Sequence, residues 1–150
     1  MCGQIKMRAI VQRTTSAAVE VIGKYKAEIG RGILVLCAFS AEDTEKTVKW
    51  AAGRIAKLRI FSDKNGKLNR SVLDEGGEAL VVSNFTLYGN CLHGTRPDFS
   101  RSARSEISRP LYDAFVEELS KYLPVKTGEF GGKMELSIIA DGPSTVVLDN

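Results

Sequence analysis

Apolar positions in this chain alternate with polar ones in some stretches, run together in others, and fall at helical spacing in two. "MRAIVQRT" (residues 7–14) and "AAVEVI" (17–22) have the pattern of strands, with a short Thr/Ser turn predicted between them. Gly23-Lys24 marks a hairpin into "YKAEIG", and Gly30-Arg31-Gly32 a second break. "ILVLCAF" (33–39) is an unbroken apolar run, the pattern of a central strand covered on both faces. Val48, Ala51, Ala52, Ile55 and Leu58 share one helical stripe, and Ser40, Asp43 or Thr44 can cap its start. Asn65-Gly66 and Gly76-Gly77 are turn signals, and "EALVVSNF" (78–85) is a further strand. Residues 89–109 form a long polar loop carrying Arg96, Arg101, Arg104 and Arg109. A second helix is predicted from Arg109 to Tyr122, with Leu111, Phe115, Leu119 and Tyr122 as its buried stripe and Pro110 in its first turn. "MELSIIA" (134–140) and "TVVLDN" (145–150) close the chain as two strands joined by a turn at "DGPS".

Seven or eight strands and two helices that do not alternate regularly predict an α+β fold. Its sheet should be mostly antiparallel or mixed, curled or barrel-like, with the two helices packed on it. A length of 150 residues fits one domain, expected over 7–150, with residues 1–6 as a short N-terminal extension. At 43% hydrophobic and 26% charged residues, the chain has the make-up of a globular rather than a disordered protein. Cys2, Cys37 and Cys91 are odd in number and widely spaced, with no CxxC and no Cys/His cluster. No zinc site is expected, and a reducing, cytoplasmic setting fits. No apolar stretch has the length of a membrane span or the form of a secretory signal. The net charge of +3 neither demands a nucleic-acid partner nor opposes one.

Three stretches break the local pattern: "SNFT" (83–86), "HGTRPDFSRSA" (93–103) and "DGPST" (141–145). Polar Ser83, Asn84 and Thr86 end an apolar strand. They read either as an ordinary strand end or as groups that hold a carbonyl and its developing oxyanion. Thr86 has no base beside it in sequence and is a poor nucleophile alone. The single histidine, His93, lies in a Gly/Pro-rich loop, where a solvated side chain is the simpler reading. Gly142-Pro143 reads as a reverse turn, or as a rigid backbone device if its bond is cis, with two carbonyls aimed the same way.

The stretches "MRAIVQRTTSAAVEV", "EIGRGILVL", "RIFSDKNGKLNRSV", "ALVVSNFTLYG", "HGTRPDFSRSA", "TGEFGGKMELSIIADGP" and "TVVLD" resemble D-aminoacyl-tRNA deacylases, in order and at matching spacing. The resemblance runs from Met7 to Asp149. It implies hydrolysis of the ester between a D-amino acid and the terminal adenosine of tRNA, with glycyl-tRNA also accepted. It implies a cytoplasmic homodimer, no metal or other cofactor, and an active site at the dimer interface that takes the acceptor end of aminoacyl-tRNA. The family's Ser-Gln-x-Thr segment aligns with Ser83, Asn84, Phe85 and Thr86, the expected catalytic group. Its cis Gly-Pro aligns with Gly142 and Pro143, which the resemblance implies would exclude an L side chain in the partner's pocket. Thr145, Arg96 and Phe99 complete the expected substrate-binding set. The sequence departs from the family pattern at Asn84 (usually Gln), Ala140 (usually Asn) and Ser144 (usually Val), so the Gly-Pro element is expected to be held differently and chiral rejection to be somewhat relaxed. The competing expectation is a non-catalytic RNA- or partner-binding protein on the same fold. A small-molecule esterase is disfavoured by the want of a Ser/Cys-His pair.

Overall fold

The computed structural model describes residues 6–149. Residues 1–5, most of the expected N-terminal extension, lie outside the described residues. Lys6 is already tied into the fold. Its amide donates to the Asp43 carboxylate, and its carbonyl accepts from the Tyr88 hydroxyl.

A single strand, β1 (Arg8–Val21), organises the sheet. Its first half pairs antiparallel with β3 (Gly32–Ala38), its second half with β2 (Tyr25–Ile29), and its other edge with β8 (Met134–Leu148) along almost its whole length. The Thr/Ser turn predicted inside this segment is absent. Thr14 to Ser16 instead mark where β1 changes partners and its register with β8 shifts, a bulge that bends the strand without reversing it. Ala9 and Val11 consequently enter one core, while Ala17 and Val19 enter another. Beyond β3 the sheet continues with β6 (Glu78–Ser83) and β7 (Val125–Thr127), both in parallel pairings. The sheet is mixed and curls toward a barrel, as the sequence predicts. A small hairpin, β4 (Phe61–Ser62) and β5 (Leu68–Arg70), turns at Asn65-Gly66, where the Asp63 carboxylate accepts from the amides of Asn65 and Lys67.

Helix α1 (Glu45–Ala56) starts at a capping box between Thr44 and Thr47. Asp43, one residue earlier, gathers amides from Lys6, Met7 and Ser40 and the Thr47 hydroxyl. Helix α2 (Ser105–Ser120) begins four residues before the predicted start, so Pro110 is inside the helix. Its missing N–H costs one backbone bond, on a side of the helix that faces solvent. Leu111, Phe115 and Leu119 are buried as predicted, with Tyr112 added. Tyr122 lies past the helix end and is 40% exposed. Both helices cover one face of the sheet over a core of Phe39, Val48, Ile55, Phe61, Val81 and Phe115, each worth about 1.5–3 kcal/mol when buried. The other face holds the smaller cluster of Ala17, Val19, Ile29, Leu34, Leu80 and Val82.

The two predicted closing strands are one strand. Opposite β1, the register jumps from Gln12↔Thr145 to Thr14↔Ala140, so Asp141 to Ser144 bulge out against the single residue Arg13. The chain does not reverse there because β1 supplies a partner on both sides of the bulge.

Candidate active site

A cavity of about 720 Å³ opens where β3 and β6 end. Leu36 to Phe39 and Val82 to Phe85 form one wall, Phe99 and the start of α2 a second, and Phe130 to Gly132 with Met134 and Leu136 a third. The parallel pairing of the two strands brings Cys37 level with Ser83, and the Asn84 amide donates to the Cys37 carbonyl at 2.7 Å. The strand predicted through Phe85 stops here. Asn84 leaves extended geometry, and Phe85–Tyr88 form one 3-10 turn closed by Leu87 N–H to Asn84 C=O. That turn swings the polar groups off the sheet and onto the cavity rim.

The Thr86 hydroxyl donates to the Asn84 side-chain oxygen at 2.5 Å. Phe85 is 58% exposed and meets Phe99 edge-on at 5.2 Å between ring centres. Gly89 permits this approach, since a β-carbon there would stand 3.1 Å from the Phe99 ring. The segment leading into α2 is pinned by Ala103 N–H to Phe39 C=O and by the Ser108 hydroxyl to Ala103 C=O. Arg104 is the N-cap residue but makes no side-chain cap bond, so the positive end of α2 borders the cavity. Cys37 also lines it, but burial drives its thiol far above the ordinary range, so no thiolate forms. His93 is exposed in its loop and does not line the cavity.

The predicted residues therefore fall into two groups. Ser83, Asn84, Phe85 and Phe99 line the cavity, with Thr86 bonded to Asn84 at its edge. Gly142, Pro143 and Thr145 do not line it; they belong to the bulge of β8 and its flank. The Gly142-Pro143 bond is cis, as the family resemblance implies, and both residues are exposed. Arg96 is exposed in the loop before Phe99 and also stands outside the cavity lining.

Sequence reasoning missed Arg13. Its Nε reaches the Asp141 carbonyl at 3.1 Å and the Asp141 carboxylate at 3.2 Å, while Nη1 donates to the Ile60 carbonyl at 2.9 Å. A β-carbon on Gly142 would stand 2.7 Å from Nη2. The guanidinium thus fills the space behind the bulge, and Gln12 Nε2 donates to the Thr145 hydroxyl beside it. The only signal for Arg13 was a charged residue in an apolar strand, which pattern alone assigns to solvent.

The comparisons agree with this architecture. A family profile described as D-Tyr-tRNA(Tyr) deacylase matches residues 10–149. A D-aminoacyl-tRNA deacylase from Dechloromonas aromatica (strain RCB) is 49% identical over 146 residues, covering 96% of this chain and 97% of the relative. One from Thermosipho africanus (strain TCF52B) is 48% identical over 145 residues, covering 96% and 97%. Among solved structures, "c-Myc DNA Unwinding Element Binding Protein" superposes with a TM-score of 0.87 at 41% identity, covering 95% of this chain and 98% of that one. A probable eukaryotic D-amino acid tRNA deacylase shares the fold at a TM-score of 0.83 and 20% identity, covering 96% and 99%. The chain belongs to the D-Tyr-tRNA(Tyr) deacylase family.

Proposed function

We propose that the protein hydrolyses the ester of D-aminoacyl-tRNA with the cavity at the ends of β3 and β6 as the seat of the acyl group. The observation that carries the reading is the make-up of that cavity. Hydroxyls, an amide and an uncapped helix N-terminus surround it, with no histidine and no thiolate in the lining. Such a site polarises and positions; it does not supply a nucleophile. Water attacks the ester carbon, the bond to the ribose 3′ oxygen breaks, and that oxygen takes a proton. The neighbouring ribose hydroxyl of the terminal adenosine assists the proton transfer. Ser83 and the Asn84 amide hold the carbonyl, Thr86 orients that amide, and the Phe85–Phe99 pair offers aromatic surface to the terminal base. Arg96 meets the phosphates of the acceptor end.

Selectivity comes from a second copy of the chain. The Gly142-Pro143 bulge is exposed and outside its own cavity, and it enters the cavity of the partner in a homodimer. Backbone atoms there leave no room for an L side chain, while a D residue or glycine fits. The reaction calls on no metal or cofactor, and its substrate places the protein in the cytoplasm.

The test is deacylation of matched D-tyrosyl-, L-tyrosyl- and glycyl-tRNA by the purified protein. Loss of the D and glycyl esters with the L ester spared is expected. Tight tRNA binding with no hydrolysis of any ester would show an RNA-binding protein instead.

A further inference from the structure

A second concavity, of about 390 Å³, lies between α1 and the segment after α2. Lys49, Trp50, Gly53, Arg54, Lys57 and Tyr122 line it, three cations and two aromatic rings with no acid among them. Lys49, Gly53 and Lys57 are four apart, so they form one row along the helix. Gly53 forms the floor of the groove: a β-carbon there would come to 3.0 Å from the Tyr122 hydroxyl. Arg54 stacks over the Trp50 ring at 4.7 Å, and Lys57 stands 5.6 Å from the centre of the Tyr122 ring. Both rings are about two-fifths exposed, at 39% and 40%. Glu118, an acid whose carboxylate is held low by its bond to Lys121 and also feels Lys49, is already engaged by Lys121 at 2.8 Å. Cations interleaved with exposed aromatic rings bind RNA strands, because the cations neutralise phosphates and the rings offer faces for stacking. The whole chain carries only +3, so this concentration of positive charge is not a general property of its surface.

We propose that this groove is a second RNA contact, holding backbone phosphates of the tRNA substrate at a distance from its reacting end. The inference rests on the deacylase reading. The two sites are joined by α2, whose first turn borders the large cavity and whose far end leads to Tyr122. Fifteen residue steps separate Ser105 from Ser120, about 22 Å at 1.5 Å per residue. The large cavity has room for the acyl group and the terminal nucleoside, so the rest of the acceptor arm must lie on the outer surface of the protein. The groove is a cationic stop on that surface.

The experiment uses the full chain and its triple variant Lys49→Ala, Arg54→Ala, Lys57→Ala, in which alanine preserves the helix. For D-tyrosyl-tRNA, KM is expected to rise about tenfold with kcat unchanged, and the log–log salt dependence of tRNA affinity to flatten by about two to three. Hydrolysis of D-tyrosyl-adenosine, which ends inside the large cavity, is expected to be unaffected. Trp50 is the single tryptophan, so uncharged tRNA should quench the intrinsic fluorescence of the wild-type protein in a salt-dependent way. An unchanged KM for tRNA overturns the proposal, as does an equal loss on both substrates in a variant with unchanged circular dichroism, since the groove would then serve the reaction and not the body of the tRNA. If the wild-type protein hydrolyses neither ester, the deacylase reading fails, and the quenching alone still decides whether RNA occupies the groove.

Discussion

The Thr86 hydroxyl is committed to the Asn84 side-chain oxygen, an acceptor that cannot carry its proton away. In the proposed reaction its role is to orient that amide, whose N–H groups then meet the ester carbonyl. Thr86→Ala should therefore lower kcat by about ten- to a hundredfold, the value of one or two well-placed hydrogen bonds, and leave measurable turnover. Single-turnover deacylation of D-tyrosyl-tRNA checks this, and a variant that binds tRNA normally but shows no hydrolysis would mark Thr86 as the nucleophile. Arg13 lies behind the bulge on which the proposed selectivity depends. Its fork holds Asp141 and Ile60 together behind the Gly142-Pro143 bulge, so Ala140 need not supply an anchor. D-over-L preference should remain high despite Ala140 and Ser144. Arg13→Lys, which keeps charge but loses the planar fork, should lower the D/L ratio of kcat/KM by about tenfold while sparing D-ester turnover.

Elements were legible where one rule governed them. The stripe of α1, its cap at Thr44 and the β4–β5 turn at Asn65-Gly66 all follow from local periodicity and side-chain hydrogen bonding. The errors share a cause: β1 and β8 were divided at Thr/Ser and Gly-Pro signals that usually end elements, and α2 was started at Pro110, a residue that usually sits in a first turn. In β1 and β8 the partner strand continues past the break, so the chain bulges and stays in the ladder. In α2 a first turn forms ahead of Pro110, with the Ile107 and Ser108 amides donating to the Arg104 carbonyl and the Ser108 hydroxyl to the Ala103 carbonyl. Ser83, Asn84, Phe85 and Phe99, picked out by resemblance and polar clustering, line one cavity, and the resemblance already set Gly142-Pro143 apart as an element for a partner's pocket. The bulge that carries Gly142-Pro143 was not legible, because it depends on the register of β1 with β8. Within the sheet, Gly32 is the tightest point: a β-carbon would come within 1.9 Å of the Glu78 carbonyl, at the entry of the parallel β3–β6 pair. Gly32→Ala should spread that pair and cost at least about 2–3 kcal/mol by urea unfolding, against about 1 kcal/mol for loss of the cap in Thr44→Ala.

At the scale of the whole molecule, β8 has β1 on one side and no second strand partner among the described residues. Along it, Ile139 is 60% and Val147 61% exposed, with Ile138 beside them. A long strand with an open edge and apolar side chains is a surface that proteins cover. The same strand carries the Gly142-Pro143 bulge, so covering it with a second copy also carries each bulge toward another protomer. Ile139→Glu places a charge on that open face, where the proposed homodimer would form, without touching either cavity. It should turn the proposed homodimer into a monomer by analytical ultracentrifugation, with unchanged circular dichroism. The monomer keeps Ser83, Asn84, Phe85, Thr86 and Phe99 but lacks the partner's bulge, so L-tyrosyl-tRNA should become a substrate and the D/L ratio should fall toward one. Raising protomer concentration should restore the ratio by mass action. A stable monomer that still rejects the L ester would mean that each chain excludes it alone, and that the bulge works on its own protomer.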